Sequence, residues 1–124
     1  MTSGRWRRRA KAEKRRERWR KQYHSAGFVF FTHQQQCVVP GCRSRIMDAA
    51  HCRSRGAGGT WRDIFPACHA HHMEQERGIV TFQEKHGLNL RRLADEHVAA
   101  WVRLSQFERD EYQREALARG YREP

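Results

Sequence analysis

The chain has 124 residues, 31% of them charged, and a formal net charge of +11. Its length suits one small domain plus an extension, with a core so marginal that a bound metal would add substantially to stability. No apolar run approaches the ~20 residues that cross a bilayer. The patch Phe28-Val29-Phe30-Phe31 is too short for a signal-peptide core, so a soluble, cytoplasmic protein with no membrane contact is expected, with its four cysteines serving as ligands rather than disulfides.

Residues 1–24 form a basic N-terminal arm, in which eleven Lys and Arg against Glu13 and Glu17 leave a net +9. Helix propensity is high from Arg7 to Lys21, but Trp6, Trp19 and Tyr23 make no apolar stripe. The arm therefore reads as either a disordered segment or a helix lying on another surface. Charge this concentrated is the footprint of a polyanion, DNA or RNA first. Arg5, Arg7, Arg8, Arg9, Arg15 and Arg16 are its candidate phosphate contacts, since each neutralised phosphate releases counterions.

Residues 25–88 read as the folded domain. Phe28 to Thr32 is expected to be a short strand or packing segment. Pro40-Gly41 demands a turn, which brings Cys37 and Cys42 together. Ile46 to Cys52 reads as a strand ending near His51. Arg53 to Thr60, with Gly56, Gly58, Gly59, Arg53 and Arg55, reads as a flexible basic loop. Ala70 to Arg77 favours a helix that Gly78 ends, and Ile79 to Phe82 is expected to be extended or loosely packed.

Residues 89–124 form a C-terminal helical extension. Leu90, Leu93, His97 or Val98, Trp101, Leu104 and Phe107 or Glu108 approximate helical spacing, which predicts a helix from about Asn89 to Ala118, with a break near Ser105. Trp101 and the leucines belong to a core rather than to a site.

Cys37 to His72 carries most of the chemistry. Tetrahedral zinc needs thiolates or neutral imidazoles, and Cys37-x4-Cys42 with Cys68-x2-His71 supplies four in two turn-compatible pairs. His69, one residue from Cys68, is the less suitable fourth ligand. Cys52 reads as a buried small hydrophobe. His72 points about 100° around the helix from His71 and shares a face with Glu76. An imidazole and a carboxylate four residues apart can bind one divalent cation. His51, beside His72 and Asp63, is a candidate general base.

These residues resemble the zinc-stapled HNH endonucleases of the ββα-metal fold. That family's pattern is a histidine ending a strand, an asparagine after a variable loop, and Cys-x2-His-His opening a helix. It maps onto His51, Asp63 and Cys68-His-Ala-His71-His72. Asp48-Ala-Ala-His51, the Gly-rich loop and Thr81-Phe82-x2-Lys85-x-Gly87-x2-Leu90 are also similar to a bacteriophage subgroup that includes recombination-enhancement nucleases. The resemblance covers roughly residues 37–94.

It implies a small zinc-stapled ββα-metal core, and with the basic arm and long C-terminal helix read from the residues outside it the expected fold is α+β. It further implies a metal-dependent DNA endonuclease of phage or prophage origin, acting in the bacterial host cell. The alternative is a non-catalytic zinc-stapled DNA-binding module, or an accessory to phage DNA packaging (terminase) or recombination proteins. In the enzyme, His51, Asp63 and His72 would be catalytic. Cys37, Cys42, Cys68 and His71 would hold a structural Zn²⁺. His72, Asp63 and Glu76 would hold a catalytic Mg²⁺, or Mn²⁺ or Ni²⁺, while Arg53 and Arg55 would join the arm on DNA. Two positions depart from the family: Asp63 stands for the usual asparagine, and Ala50 stands where a cation ligand commonly precedes the histidine.

Overall fold

The computed structural model describes residues 4–11, 25–53 and 59–123. Residues 4–11 form helix α1, whose arginines Arg5, Arg7, Arg8 and Arg9 are all exposed. Arg15, Arg16, Arg55 and the rest of the expected 7–21 helix lie outside the described residues. No helix among those described is long and apolar enough to cross a membrane.

The fold is α+β, with one antiparallel pair of strands and six α-helices among the described residues. Strand β1 (Met47–His51) pairs with β2 (Ile64–Cys68) in the register Met47 to Cys68 and His51 to Ile64. Strand β2 runs directly into α3 (His69–Arg77), so hairpin and helix make the expected ββα unit. Cys68 ends the strand and caps the helix, its sulfur accepting from the His71 N–H at 3.5 Å.

Phe28 to Thr32 is helical rather than extended: it lies in α2 (Ala26–His33). Its apolar run fits either period, and two features select the helix. Ser25 Oγ caps it by accepting from Phe28 N–H at 3.2 Å, and its phenylalanines pack on the C-terminal helices. Ile79 to Phe82 opens α4 (Ile79–His86) instead of running extended. Buried Phe82 anchors it, and Gly87, at φ 65°, ends it in the left-handed conformation that glycine adopts freely.

The long C-terminal element is two helices, α5 (Leu90–Arg103) and α6 (Gln106–Ala118). A capping box separates them: Glu108 N–H donates to Ser105 Oγ, and Ser105 N–H donates to Glu108. Leu90, Ala94, His97 and Trp101 form the inner stripe of α5. Leu90 and Ala94 pack with Phe65, Ala67 and Phe82, while Trp101 joins Phe28, Phe31 and Ile64. The hairpin is thus held between α3–α4 and the α2–α5 layer.

Helix α2 also crosses α6 closely. A Cβ at Gly27 would lie 2.8 Å from the Gln113 backbone nitrogen, and Gly27 N–H donates to Gln113 Oε1 at 2.7 Å. Buried in the same layer, His97 lies with Nε2 2.8 Å from Thr32 Oγ1, whose own hydrogen goes to Phe28 O. His97 must therefore donate from Nε2, and burial holds it neutral, with its pKa lowered to about 4.

Candidate metal centre and the adjoining cleft

Cys37, Cys42, Cys68 and His71 converge with their ligand atoms all within 4.8 Å of one another. Two local devices bring the first pair in. The turn at Pro40-Gly41 has Gly41 at φ 80° and is closed by Cys42 N–H to Val39 O at 3.1 Å. Val38 N–H donates to Pro66 O at 3.0 Å, which ties Cys37 beside β2.

The spacing matches a tetrahedral ion. With Zn–S near 2.3 Å and Zn–N near 2.05 Å, the edges of the tetrahedron come to about 3.8 Å between sulfurs and about 3.6 Å from sulfur to nitrogen. Cys42 and Cys68 sulfurs are 3.8 Å apart, and His71 Nδ1 is 3.5 Å from Cys37 and 3.2 Å from Cys68. Burial pushes the Cys37 thiol up to about 11, whereas the Ser44 backbone N–H holds Cys42 below its ordinary value. A cation would compensate that burial by holding the thiolate directly. This Cys3His group could hold a metal ion such as zinc. His69 is well exposed and bonds elsewhere, so His71 is the histidine of the set.

His71 belongs to a second metal-competent group with Glu74 and His86. There Glu74 Oε1 is 2.9 Å from Lys85 Nζ and 3.0 Å from His86 Nε2, and the His86 ring packs edge-on against His71 at 5.3 Å.

The remaining site residues lie around the end of β1. His72 sits between two carboxylates: its Nδ1 is 2.9 Å from Asp48 Oδ2, and its Nε2 is 3.3 Å from Glu76 Oε1. His69 Nδ1 also meets Asp48 Oδ2, at 2.8 Å. Burial would raise the Asp48 carboxyl, but hydrogen bonds from His72 and His69 outweigh it and hold the group below the ordinary range. Asp48 is the acid that the sequence reading missed. Its signal was present in Asp48-Ala-Ala-His51, because Asp48 and Ala50 share a face of β1.

His51 and Glu76 line one cleft of about 250 Å³ with Cys52, Gln75 and Ile79. Cys52 and Ile79 also line a neighbouring cleft of about 360 Å³, whose wall carries Arg53 and Arg91. Cys52 is half-buried there, its thiol raised by burial.

Asp63 is 6% exposed and its carboxylate is already engaged. One oxygen accepts from Thr60 N–H at 2.7 Å, and the other is gripped by the Arg91 guanidinium. Its backbone oxygen accepts from Cys52 N–H at 2.8 Å. Asp63 therefore sits where it orients the chain beside His51, and no metal-competent group among the described residues includes it.

No family model, curated protein or solved structure significantly matches this chain.

Proposed function

We propose that this protein is a metal-dependent DNA endonuclease of the HNH kind. The observation that carries the reading is the convergence on one ββα unit: His51 ends β1, the Cys3His group closes the hairpin onto α3, and α3 then presents His72 and Glu76 beside the His51 cleft.

In this reading zinc at Cys37, Cys42, Cys68 and His71 is structural, since four protein ligands leave no open position. His72 and Glu76 would hold a divalent cation, whether Mg²⁺, Mn²⁺ or Ni²⁺, which when bound would supply positive charge to the scissile phosphate and the departing oxygen. Asp48 holds the other face of His72 through Nδ1, so that Nε2 stays turned to Glu76, as outer carboxylates do for metal-bound histidines. Glu76 then takes the ligand role that Ala50 lacks.

His51 takes the proton from the attacking water. The new bond forms from water oxygen to phosphorus, the bond to the 3′ oxygen breaks, that oxygen takes a proton from solvent, and the products carry 5′-phosphate and 3′-hydroxyl ends. The exposed arginines of α1 and Arg53 at the cleft would neutralise DNA phosphates. Proteins of phage DNA packaging or recombination are the partners this reading allows.

Plasmid cleavage tests it: zinc-loaded wild type with Mg²⁺, Mn²⁺ or Ni²⁺ should nick or linearise supercoiled DNA. His51→Ala should lose roughly a hundredfold or more in rate, the contribution typical of a general base. Equal rates would refute the assignment of His51. The engagement of Asp63 by Arg91 favours a second reading, a DNA-binding module that keeps the fold without cutting. Salt-sensitive DNA binding with no cleavage under any of these metals would support it.

A further inference from the structure

We infer that the peptide joining His51 to Cys52 is a clamped positioning element, with Gln75 and Arg91 as positioning residues for His51; this rests on the nuclease reading above. The two polar atoms of that one peptide are held from opposite sides. Gln75 Nε2 of α3 donates to its carbonyl, His51 O, at 3.1 Å. Its N–H, on Cys52, donates to Asp63 O at 2.8 Å.

Asp63 is fixed in turn. Thr60 N–H and the Arg91 guanidinium occupy its two carboxylate oxygens, and Arg91 also donates to Arg62 O at 2.6 Å and to Asp95 at 2.8 Å. Asp63 thereby ties together the two ends of the loop that leaves β1, through Cys52 on one side and Thr60 on the other. Arg91 secures that tie to α5, the first helix of the C-terminal extension. The extension is then part of the working site.

Gln75 is buried, at 6% exposure, with its amide nitrogen on the histidine's carbonyl, and the next residue along α3 is Glu76. One turn of helix therefore sets the spacing between the base and the cation ligands. Small misplacements of reacting groups reduce rate steeply.

The test compares Gln75→Leu and Arg91→Ala with wild type, as zinc-loaded full chain, with Arg91→Lys as the milder variant should Arg91→Ala fold poorly. Steady-state cleavage and hydrogen exchange at the Cys52 amide are both read. Gln75→Leu should keep its zinc content, lower kcat about tenfold or more, and leave KM within about twofold. The Arg91 variants should lose protection at the Cys52 amide, which a role confined to the surface of α5 would leave unchanged. Unchanged kcat in Gln75→Leu, or unchanged Cys52 protection in the Arg91 variants, overturns the clamp. If wild type cleaves nothing, the nuclease reading fails, and the amide exchange still decides the clamp.

Discussion

Replacing Cys68 by serine should remove the metal and much of the stability of the hairpin. Cys68 is the hub of the Cys3His group: its sulfur lies 3.8 Å from Cys42 and 3.2 Å from His71 Nδ1, and it also caps α3. Structural zinc in small domains contributes about 10–16 kcal/mol, which matches or exceeds the roughly 5–15 kcal/mol that a whole domain has to spare. Divided evenly over four ligands, one thiolate carries about 2.5–4 kcal/mol, which is the least the variant loses, since losing the ion forfeits more. For a domain of this size even that minimum lowers the thermal midpoint by roughly 10–20 °C. The aromatic layer of α2, α5 and α6 contains none of the four ligands, so part of the helical signal should outlast the loss of metal. Elemental analysis with circular-dichroism melting checks both points. Wild type should carry about one zinc per chain, as a closed four-ligand site does, and Cys68→Ser far less. Stoichiometric zinc in the variant together with an unchanged midpoint would refute the assignment of the ligands.

Three further outcomes follow from other parts of the molecule. Asp48→Asn should weaken binding of the second cation by about 10–100-fold, the usual effect of losing an outer carboxylate, while leaving zinc in place; calorimetric titration of Mn²⁺ into zinc-loaded protein reads this. His97 binds a proton near 6.5 when unfolded but only near 4 when folded, so the unfolded chain holds more protons in between and stability falls as pH drops through that window. The difference amounts to about 3 kcal/mol, fully present above pH 6.5 and lost towards pH 4. His97→Gln should show a shallower loss between those pH values in denaturant titrations, and an identical slope would contradict the account. Deleting residues 1–24 should weaken DNA binding and flatten its dependence on salt, because fewer phosphates are neutralised; equal salt slopes in fluorescence anisotropy would remove the arm from the interface.

The legible parts of this protein were those set by short-range spacing. Cys37-x4-Cys42 and Cys68-x2-His71 are each closed by a local turn or a helix start, so both pairs could be read directly. The break at Ser105 was legible for the same reason, since Ser105-x-x-Glu108 is a local capping signal. Phe28 to Thr32 was ambiguous because five apolar-rich residues do not distinguish the two periods, and the deciding contacts come from α5 and α6, far along the chain. Asp48 gives no such local signal, because the family's acid stands at position 50, next to the histidine. Ala50 is fully buried, and the pleat brings the acid two residues earlier onto the same face, beside His72. The Arg91–Asp63 pair links residues 28 apart through a side-chain contact, for which no pattern in the chain gives a signal.

The central claim is that one metal holds the shape while a second, at His72 and Glu76, serves cleavage. Its most direct test is plasmid cleavage by protein loaded with zinc and freed of other metals, titrated with Mg²⁺, Mn²⁺ or Ni²⁺ while zinc content is followed. The account predicts no cleavage until the second cation is added, activity that saturates with that cation, and zinc unchanged throughout. Cleavage that needs zinc alone, or activity in His72→Ala equal to wild type, would contradict it.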